Sequence, residues 1–345
     1  MTKPLHIFGW AAGNDGCAYY RLVLPLAILQ RDPDVTIDIG IKMPPEEFHS
    51  TDHDRRIIVA QRLMKPLVVE QARIFKAEGR KIVVEHDDDL SNIRSDNPAI
   101  LSKSSNWPPS DEWRKSWLPA MHEAMGFASL VTCTNTYLAT ELRQYSDHVT
   151  VLPNYIDSAL LKTDMPLRND NEHLKVGWAG SPTHDKDWTQ AAPFIQNGLG
   201  KVHMSELVLI GSDYQWLVGH KRTTVRPWET DLNKYFNNLT DIHIGLAPLA
   251  DDHFNRSKSY IKALEYAALG IPVIANDVEP YRNFIQHGVT GFLVKYGHEW
   301  ARYIRILAND EPLRRKMGEA AREVAAQNTI QKNAWRWLEA YEEIM

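Results

Sequence analysis

Cysteine is scarce: Cys17 and Cys133 are the only two in 345 residues. Two thiols build neither a disulfide framework nor a zinc cluster, and they suit a reducing, cytoplasmic compartment. Long apolar runs are missing too. No stretch approaches the ~18 apolar residues of a membrane span, so the expected chain is soluble or lies peripherally at a membrane. The N-terminal residues run almost directly into a strand pattern, which leaves no room for a signal peptide. Positive charge is in slight deficit, with 39 Lys plus Arg against 44 Asp plus Glu and a net charge of -5. That balance argues against a broad basic surface for duplex DNA, although a local basic groove survives such an average. Short repeats and low-complexity tracts are absent. What remains, 43% hydrophobic and 24% charged, is the composition of a globular enzyme. The length exceeds one typical core and implies two domains.

Short apolar runs alternate with amphipathic helical stretches. Leu5–Ala11, Val35–Ile41, Ile57–Gln61, Lys81–Glu85, Leu130–Thr134 and Val149–Leu152 read as strands. Helices fit between them at Cys17–Gln30, Pro66–Glu78, Asp111–Gly126 and Asn135–Tyr145. Residues Asp157–Leu174 are polar and irregular, as a linker is. A second series follows, with strands at Lys175–Ala179, Leu207–Ile210, Thr223–Arg226, Ile242–Ala247, Pro272–Ala275 and Phe292–Val294. Its helices are expected at Lys186–Gly198, Thr230–Leu239, Lys258–Leu269, Pro280–His287, Glu299–Ala308, Glu311–Gln327 and Gln331–Ile344. Such alternation predicts parallel sheets covered on both faces. The expected architecture is α/β: two Rossmann-like domains, 1–160 and 161–328, facing each other across a cleft.

In open α/β sheets ligands bind beyond the carboxyl ends of strands, where helix N-termini present free N–H groups. Four segments fall at such points. The loop Gly9–Arg21 carries Gly13 and Gly16, which allow a backbone to approach an anion, and Arg21, which has the fork for a phosphate. Its spacing is not GxGxxG, so a nicotinamide dinucleotide is not supported. The segment Val83–Leu90 runs a strand into His86, Asp87, Asp88 and Asp89; an imidazole beside carboxylates serves as general base or charge stabiliser. Helix capping by the carboxylates, or a partial metal site at the D-x-D, are the competing readings.

The third segment, Val176–Lys186, offers Gly180 for backbone approach and Ser181, Thr183, His184 and Lys186 as donors to a phosphate or sugar. The fourth, Asn255–Ala275, places Ser257 or Ser259 as cap of a helix with apolar Ile261, Leu264 and Ala268 at helical spacing. Arg256 and Lys258 flank that helix N-terminus, an arrangement suited to a diphosphate. Glu265 lies two turns from Lys258 on the same face, where a carboxylate can accept a ribose diol. A plain surface pair of Lys262 with Glu265 is the alternative.

These residues resemble a GT-B glycosyltransferase, of the large retaining family 4 (glycosyl transferases group 1). Glu265-Tyr-Ala-Ala-Leu-Gly-Ile-Pro-Val-Ile-Ala is similar to that family's E-A-M-A-x-G-x-P-V-V-A, and Gly288-Val-Thr-Gly-Phe-Leu-Val to its G-x-x-G-x-L-V. Val151-Leu-Pro-Asn-Tyr-Ile-Asp157 resembles V-x-P-N-G-I-D, and Leu207-Val-Leu-Ile-Gly-Ser212 the strand L-x-I-x-G. The likeness is clearest over 175–294, with supporting pieces from 5 to 157. It implies a ribose contact at Glu265, a donor diphosphate on the backbone of Ser259, Tyr260 and Ile261, and a phosphate loop near Gly180 and Lys186. It further implies a glycine-rich loop beneath the phosphates at Gly13 and Gly16, and a strand-end histidine, His86, near the transferred sugar. The last helix, 329–345, is implied to pack back on the first domain. One departure stands out: the first glutamate of E-x7-E is replaced by Ser257, for which Lys258 or Asp251-Asp252 are the candidate substitutes.

The function implied is transfer of a hexose or pentose from a nucleoside diphosphate sugar, with retention and without a resident metal or other cofactor. Departing diphosphate charge is then met by helix N–H groups, Lys258, Arg256 and Arg21. Expected site residues are His86, Lys258 and Asp87 for the chemistry. Gly13, Gly16, Arg21, Gly180, Ser181, His184, Lys186, Arg256, Ser259, Tyr260, Ile261 and Glu265 are expected for the donor. A glycan or lipid-linked glycan is the expected acceptor, with a protein or a modified nucleic-acid base as alternatives. Trp107-Pro108-Pro109, Trp113 and Trp117 form an aromatic-rich stretch suited to an acceptor or to plain packing. Two rival functions stay open, a degenerate binding subunit and a nucleotide-sugar epimerase.

Overall fold

The apolar runs condense into two all-parallel sheets in a computed structural model that describes residues 4–45, 48, 55–94, 96–97, 110–168 and 171–345. Two compact units result: residues 1–155, 257–259 and 330–345 form the first, and 156–256 with 260–329 the second. Among the described residues no helix is long and apolar enough to cross a membrane.

In the first unit the strands are β1 (Leu5–Trp10), β2 (Val35–Gly40), β3 (Arg56–Gln61), β4 (Lys81–His86), β5 (Leu130–Cys133) and β6 (Val149–Val151), in spatial order β2-β1-β3-β4-β5-β6. β3 and β5 are buried at every residue, as both-face coverage of a parallel sheet requires. The order reverses between β1 and β3, so the crevice rule points to the loops that leave these two strands. After β1 the chain turns through Gly16–Ala18, a π-helical stretch at Tyr19–Val23, and a helix at Leu24–Leu29. A second π stretch, Trp113–Trp117, precedes the helix Leu118–Phe127. Each ends just ahead of a proline, Pro25 and Pro119. Proline lacks the N–H for an i-4 bond and its ring crowds that carbonyl, so the turn before it widens. The expected packing holds for Trp113, which is buried, whereas Trp107-Pro108-Pro109 lies outside the described residues.

In the second unit β7 (Leu174–Gly180), β8 (Ser205–Gly211), β9 (Thr223–Arg226), β10 (Ile244–Ala247), β11 (Val273–Asn276) and β12 (Gly291–Val294) lie in the order β12-β11-β10-β7-β8-β9. Here the reversal falls between β10 and β7. Helix Asp185–Leu199 packs Trp188, Ala192 and Ile195 into a core shared with Trp178, Trp300 and Ile304. The helix Ile261–Ala268 is shorter than expected and begins three residues later: Ser257–Ser259 belongs to the first unit, and Tyr260 occupies the N-cap without a side-chain cap bond. The N-cap position is therefore Tyr260, not Ser257 or Ser259. Gly270 takes φ +69° after that helix, and a Cβ on Gly318 would lie 2.0 Å from the Gly270 carbonyl oxygen, so helix Glu311–Ala325 packs directly on backbone there. Helices at Ile330–Asn333 and Trp335–Glu342 group with the first unit, burying Trp337 and Tyr341 and leaving Trp335 exposed.

Candidate active site

At the carboxyl edge of the first sheet the strand ends carry polar side chains. Gln61, Glu85 and Thr132 occupy paired positions on β3, β4 and β5, which puts them side by side on one face. Arg21 reaches that face from the π stretch. It is buried, and donates to Glu85 Oε1 at 2.6 Å, to the Leu152 carbonyl at 2.5 Å and to Asn154 Oδ1 at 2.9 Å. Arg21 Nε and Nη1 are thus engaged by an internal carboxylate and by the chain leaving β6, while Nη2 is buried with no hydrogen-bond partner among the described residues. Burial raises Glu85 to about 7 against the pull of Arg21.

His86 follows at the end of β4, buried and with no partner on Nε2 among the described residues. Burial lowers it to about 4, helped by the Arg62 charge and opposed by Asp87, so the ring is neutral at physiological pH. A neutral imidazole can donate or accept one hydrogen bond without bringing charge. Asp87 is different. Arg62 grips it through Nε at 2.7 Å and Nη2 at 2.6 Å. Burial on its own raises Asp87, but the Arg62 guanidinium overrides this and holds the carboxyl well below the usual carboxylate range. So acidic a group makes a poor general base, and the structure pairs Asp87 with Arg62 as its counter-ion. Arg62 also donates to Cys17 Sγ at 3.0 Å, tying β3 to the loop after β1. Burial raises the Cys17 thiol well above its usual value, so it stays protonated.

In the loop after β1, Gly13 and Gly16 are half-buried, and Asp15 Oδ1 caps the turn by accepting from Ala18 N at 2.9 Å. A Cβ on Gly16 would meet nothing within 4 Å, so open space adjoins that backbone. Lys258 lies on this unit: its ammonium is 3.5 Å from Asp88 Oδ2. Asp89 is taken by Asn92, whose backbone and side-chain N–H groups donate to it at 3.3 and 2.7 Å. The three carboxylates after His86 are thus each matched, to Arg62, Lys258 and Asn92.

The second unit brings together the loops after β7 and β10. Gly180 ends β7; a Cβ there would strike the Trp178 indole at 2.4 Å, so packing alone demands glycine. Ser181 and Thr183 hydroxyls pair at 2.8 Å. His184 Nδ1 lies 2.7 Å from Asp187 Oδ2, while Asp187 Oδ1 accepts from Ala250 N at 2.7 Å and Asn255 Nδ2 at 2.9 Å. Asp187, a buried carboxylate on the helix Asp185–Leu199, therefore pins one loop to the other. Lys186 reaches Asp252 at 2.8 Å, and Arg256 reaches Asp251 at 2.7 Å. Asp251-Asp252 thus pair with cations in this unit. On the helix Ile261–Ala268, Lys262 donates to the Ala179 carbonyl and stands 5.0 Å over the Trp178 ring, which engages its ammonium at β7. Glu265 is buried, and its Oε2 accepts from the Tyr235 hydroxyl at 2.7 Å. Burial, then the charge of Glu265, raise the Tyr235 phenol well above its usual range, so that it remains a donor. Tyr260 stacks on Phe284 at 4.8 Å, and Ile261 opens the helix half-buried.

Arg62, Glu85, Asn135, Asn154 and Asp187 carry no local signal in the sequence that points to their partners. Arg62 occupies φ +49° immediately after β3, a conformation that no sequence pattern predicts.

Comparison with known proteins fits these units. Residues 261–324, which include Glu265, match the family described as glycosyl transferases group 1. A Staphylococcus aureus protein, the capsular polysaccharide biosynthesis glycosyltransferase CapM, is 24% identical over 182 residues, 49% of this chain and 46% of CapM; the match thus spans less than half of that relative. Among solved structures, HepE of Anabaena in complex with UDP is similar with a TM-score of 0.66 at 13% identity, covering 99% of this chain and 100% of HepE. A glycosyltransferase from Rickettsia africae gives a TM-score of 0.69 at 14% identity, over 100% of this chain and 99% of that one. Sucrose-phosphate synthase from Thermosynechococcus elongatus gives 0.66 at 14% identity, over 99% of both chains. The chain has the GT-B fold, and within its second unit it carries a stretch that matches the glycosyl transferases group 1 family.

Proposed function

We propose that the protein transfers a hexose or pentose from a nucleoside diphosphate sugar to an acceptor hydroxyl, with retention at the anomeric carbon. The observation that carries this reading is Glu265: a buried carboxylate inside the matched 261–324 stretch, held from behind by Tyr235 and suited to a ribose diol. The C1–O bond to the diphosphate breaks, the acceptor oxygen forms the new bond, and its proton leaves with the products. Charge on the departing diphosphate is met by protein groups: N–H groups of Tyr260 and Ile261 at the helix start, Lys186, Arg256, and Lys258, two residues before Tyr260 in the chain. No resident metal is required in this reading. His86, uncharged, serves the transferred sugar by a single hydrogen bond, and Gly16 leaves room beside the first loop. HepE's complex with UDP makes UDP-sugars the first donors to try, and CapM's role in capsular polysaccharide makes a glycan, free or lipid-linked, the first acceptor.

The test is a thermal-shift panel of UDP, GDP, dTDP and CDP, each with and without sugar, on the protein and on Glu265→Gln. A ligand at a hundredfold excess over its Kd stabilises by about 2.7 kcal/mol, a readable shift. One nucleotide is expected to shift the protein and not the variant; an unmoved melting curve with all four would overturn the reading. A second reading, a binding subunit without turnover, is favoured by one observation: Ser257, in the place of the first glutamate, is fully buried and presents no carboxylate. His86→Ala separates the two, since it abolishes sugar transfer by an enzyme and leaves nucleotide binding by a binding subunit intact.

A further inference from the structure

Three consecutive residues, Ser257-Lys258-Ser259, belong to the first unit although the residues on both sides of them belong to the second. Every one of the three is gripped by a strand end. Ser257 Oγ accepts from Asp89 N at 3.3 Å, and the Ser257 carbonyl accepts from Thr134 Oγ1 at 3.4 Å. The Lys258 carbonyl accepts from Asn135 Nδ2 at 2.8 Å, the shortest of the set. Ser259 Oγ accepts from Asn154 Nδ2 at 3.0 Å. The donors stand after β4, β5 and β6 in turn, so the tripeptide lies across three neighbouring strand ends. Lys258 Nζ, held 3.5 Å from Asp88, is the charged tip of this segment.

Both asparagines use the two ends of one planar amide. Asn135 Oδ1 accepts from Leu138 N at 2.7 Å and so caps the helix Thr136–Leu142, while its Nδ2 grips Lys258. Asn154 Oδ1 accepts from Arg21, while its Nδ2 grips Ser259. A cap alone would be served as well by serine or aspartate, neither of which has an amide donor. We propose that Asn135 and Asn154 are positioning residues: by fixing the Lys258 carbonyl and the Ser259 hydroxyl they set the place of the Lys258 ammonium, which stands in for the missing first glutamate as the charged group of this segment. The role of that ammonium in transfer rests on the proposed function; the clamp itself does not.

The test compares the full-length protein with Asn135→Ser and Asn135→Asp, both of which keep the cap acceptor and lose the amide N–H donor that reaches the Lys258 carbonyl. Trypsin reads the clamp without reference to activity, because Lys258–Ser259 is itself a tryptic bond. Cleavage there, followed by mass spectrometry, is expected to run about tenfold faster in both variants, with the melting temperature unchanged. Unaltered cleavage in both would overturn the clamp. For turnover, Asn135→Ser is expected to lower kcat about tenfold with little change in KM for the donor. The same substitution in a Lys258→Met background is expected to cost nothing further. Additive losses would mean that Asn135 acts elsewhere and would overturn the positioning role. If the unaltered protein transfers no sugar from any donor, the proposed function fails, and the tryptic rates still decide the clamp.

Discussion

The loops that open the two units look alike in sequence, each a glycine-bearing turn between a first strand and a first helix with basic residues close by. They are built in opposite ways. In the first unit the cations are interior: Arg21 is buried on Glu85, and Arg62 is forked onto Asp87 with side chains 14% and 9% exposed. In the second, Lys186 with Asp252 and Arg256 with Asp251 are pairs whose side chains are 24–53% exposed. Exposed pairs are worth little and part readily, whereas a buried pair broken on one side leaves an unsolvated charge. The first unit therefore uses arginine to fix its strand ends, and the second keeps its cations in partly exposed pairs, where the proposed function needs them.

The largest effect that would break this comparison is expected at Arg21. Arg21→Met removes the charge that lowers Glu85, drives that buried carboxyl further toward its protonated form, and frees both Asn154 Oδ1 and the Leu152 carbonyl. A loss of about 3–5 kcal/mol is expected in urea unfolding followed by tryptophan fluorescence. Arg21→Met with Glu85→Leu should recover most of it, because the charge and its partner leave together. A single-variant loss below about 1 kcal/mol would mean that the pair is not interior in solution.

Second in size is a pH effect at His86. Its folded value near 4 lies below the ordinary 6.5. The unfolded chain therefore binds the extra proton first as pH falls. Stability from the neutral ring is complete above pH 6.5 and is lost between about 6.5 and 4, by about 3 kcal/mol for a shift of this size. Glu85 runs the other way: its folded value near 7 lies above its ordinary 4.5, so stability is present below 4.5 and lost as pH rises toward 7. The two slopes oppose each other in one window and flatten the wild-type curve. His86→Gln removes one of them, and the variant should gain stability relative to the wild type as pH falls from 6.5 to 4. Parallel pH–stability curves for the two proteins would show that the ring is not held neutral.

Both effects turn on residues whose neighbours the sequence does not disclose. The strands are legible because a buried parallel strand is written as a continuous apolar run, and β5, buried at every residue, ends one residue short of the expected Leu130–Thr134, at Leu130–Cys133. The prolines that widen the two π turns are equally visible, at Pro25 and Pro119, but their consequence for Arg21 is not. Arg21 meets Glu85 across 64 residues and Asn154 across 133, and no periodicity reports a contact of that range. A glycine-rich loop with an arginine after it reads as an anion site, and nothing local shows that a buried carboxylate takes the arginine's Nε. That Glu265 lies on a helix is legible because helical spacing is a local property. Ser257–Ser259 misleads for the converse reason: its local spacing continues the helix, and hydrogen bonds from residues after β4, β5 and β6 draw it away.

The smallest expected effects lie in the second unit, where the comparison can be sharpened. Lys186→Ala should change stability by less than about 1 kcal/mol, since its ion pair is half-exposed, yet weaken nucleoside diphosphate binding. Asp252→Asn is the finer probe. Asp252 Oδ1 accepts from Asn255 N at 2.9 Å and caps the turn His253–Arg256, a task asparagine performs as well. Its other oxygen holds Lys186, the ammonium that the proposed function assigns to the diphosphate. Removing the negative charge while keeping the cap releases Lys186 and takes away a repulsion from the bound diphosphate. Binding measured by calorimetry should therefore tighten, by about two- to fivefold, a gain typical of one partly screened charge. A loss of affinity instead would make Asp252 a direct ligand contact. Lys186 would then be its anchor, and the exposed pairs of the second unit would serve structure just as the buried pairs of the first do.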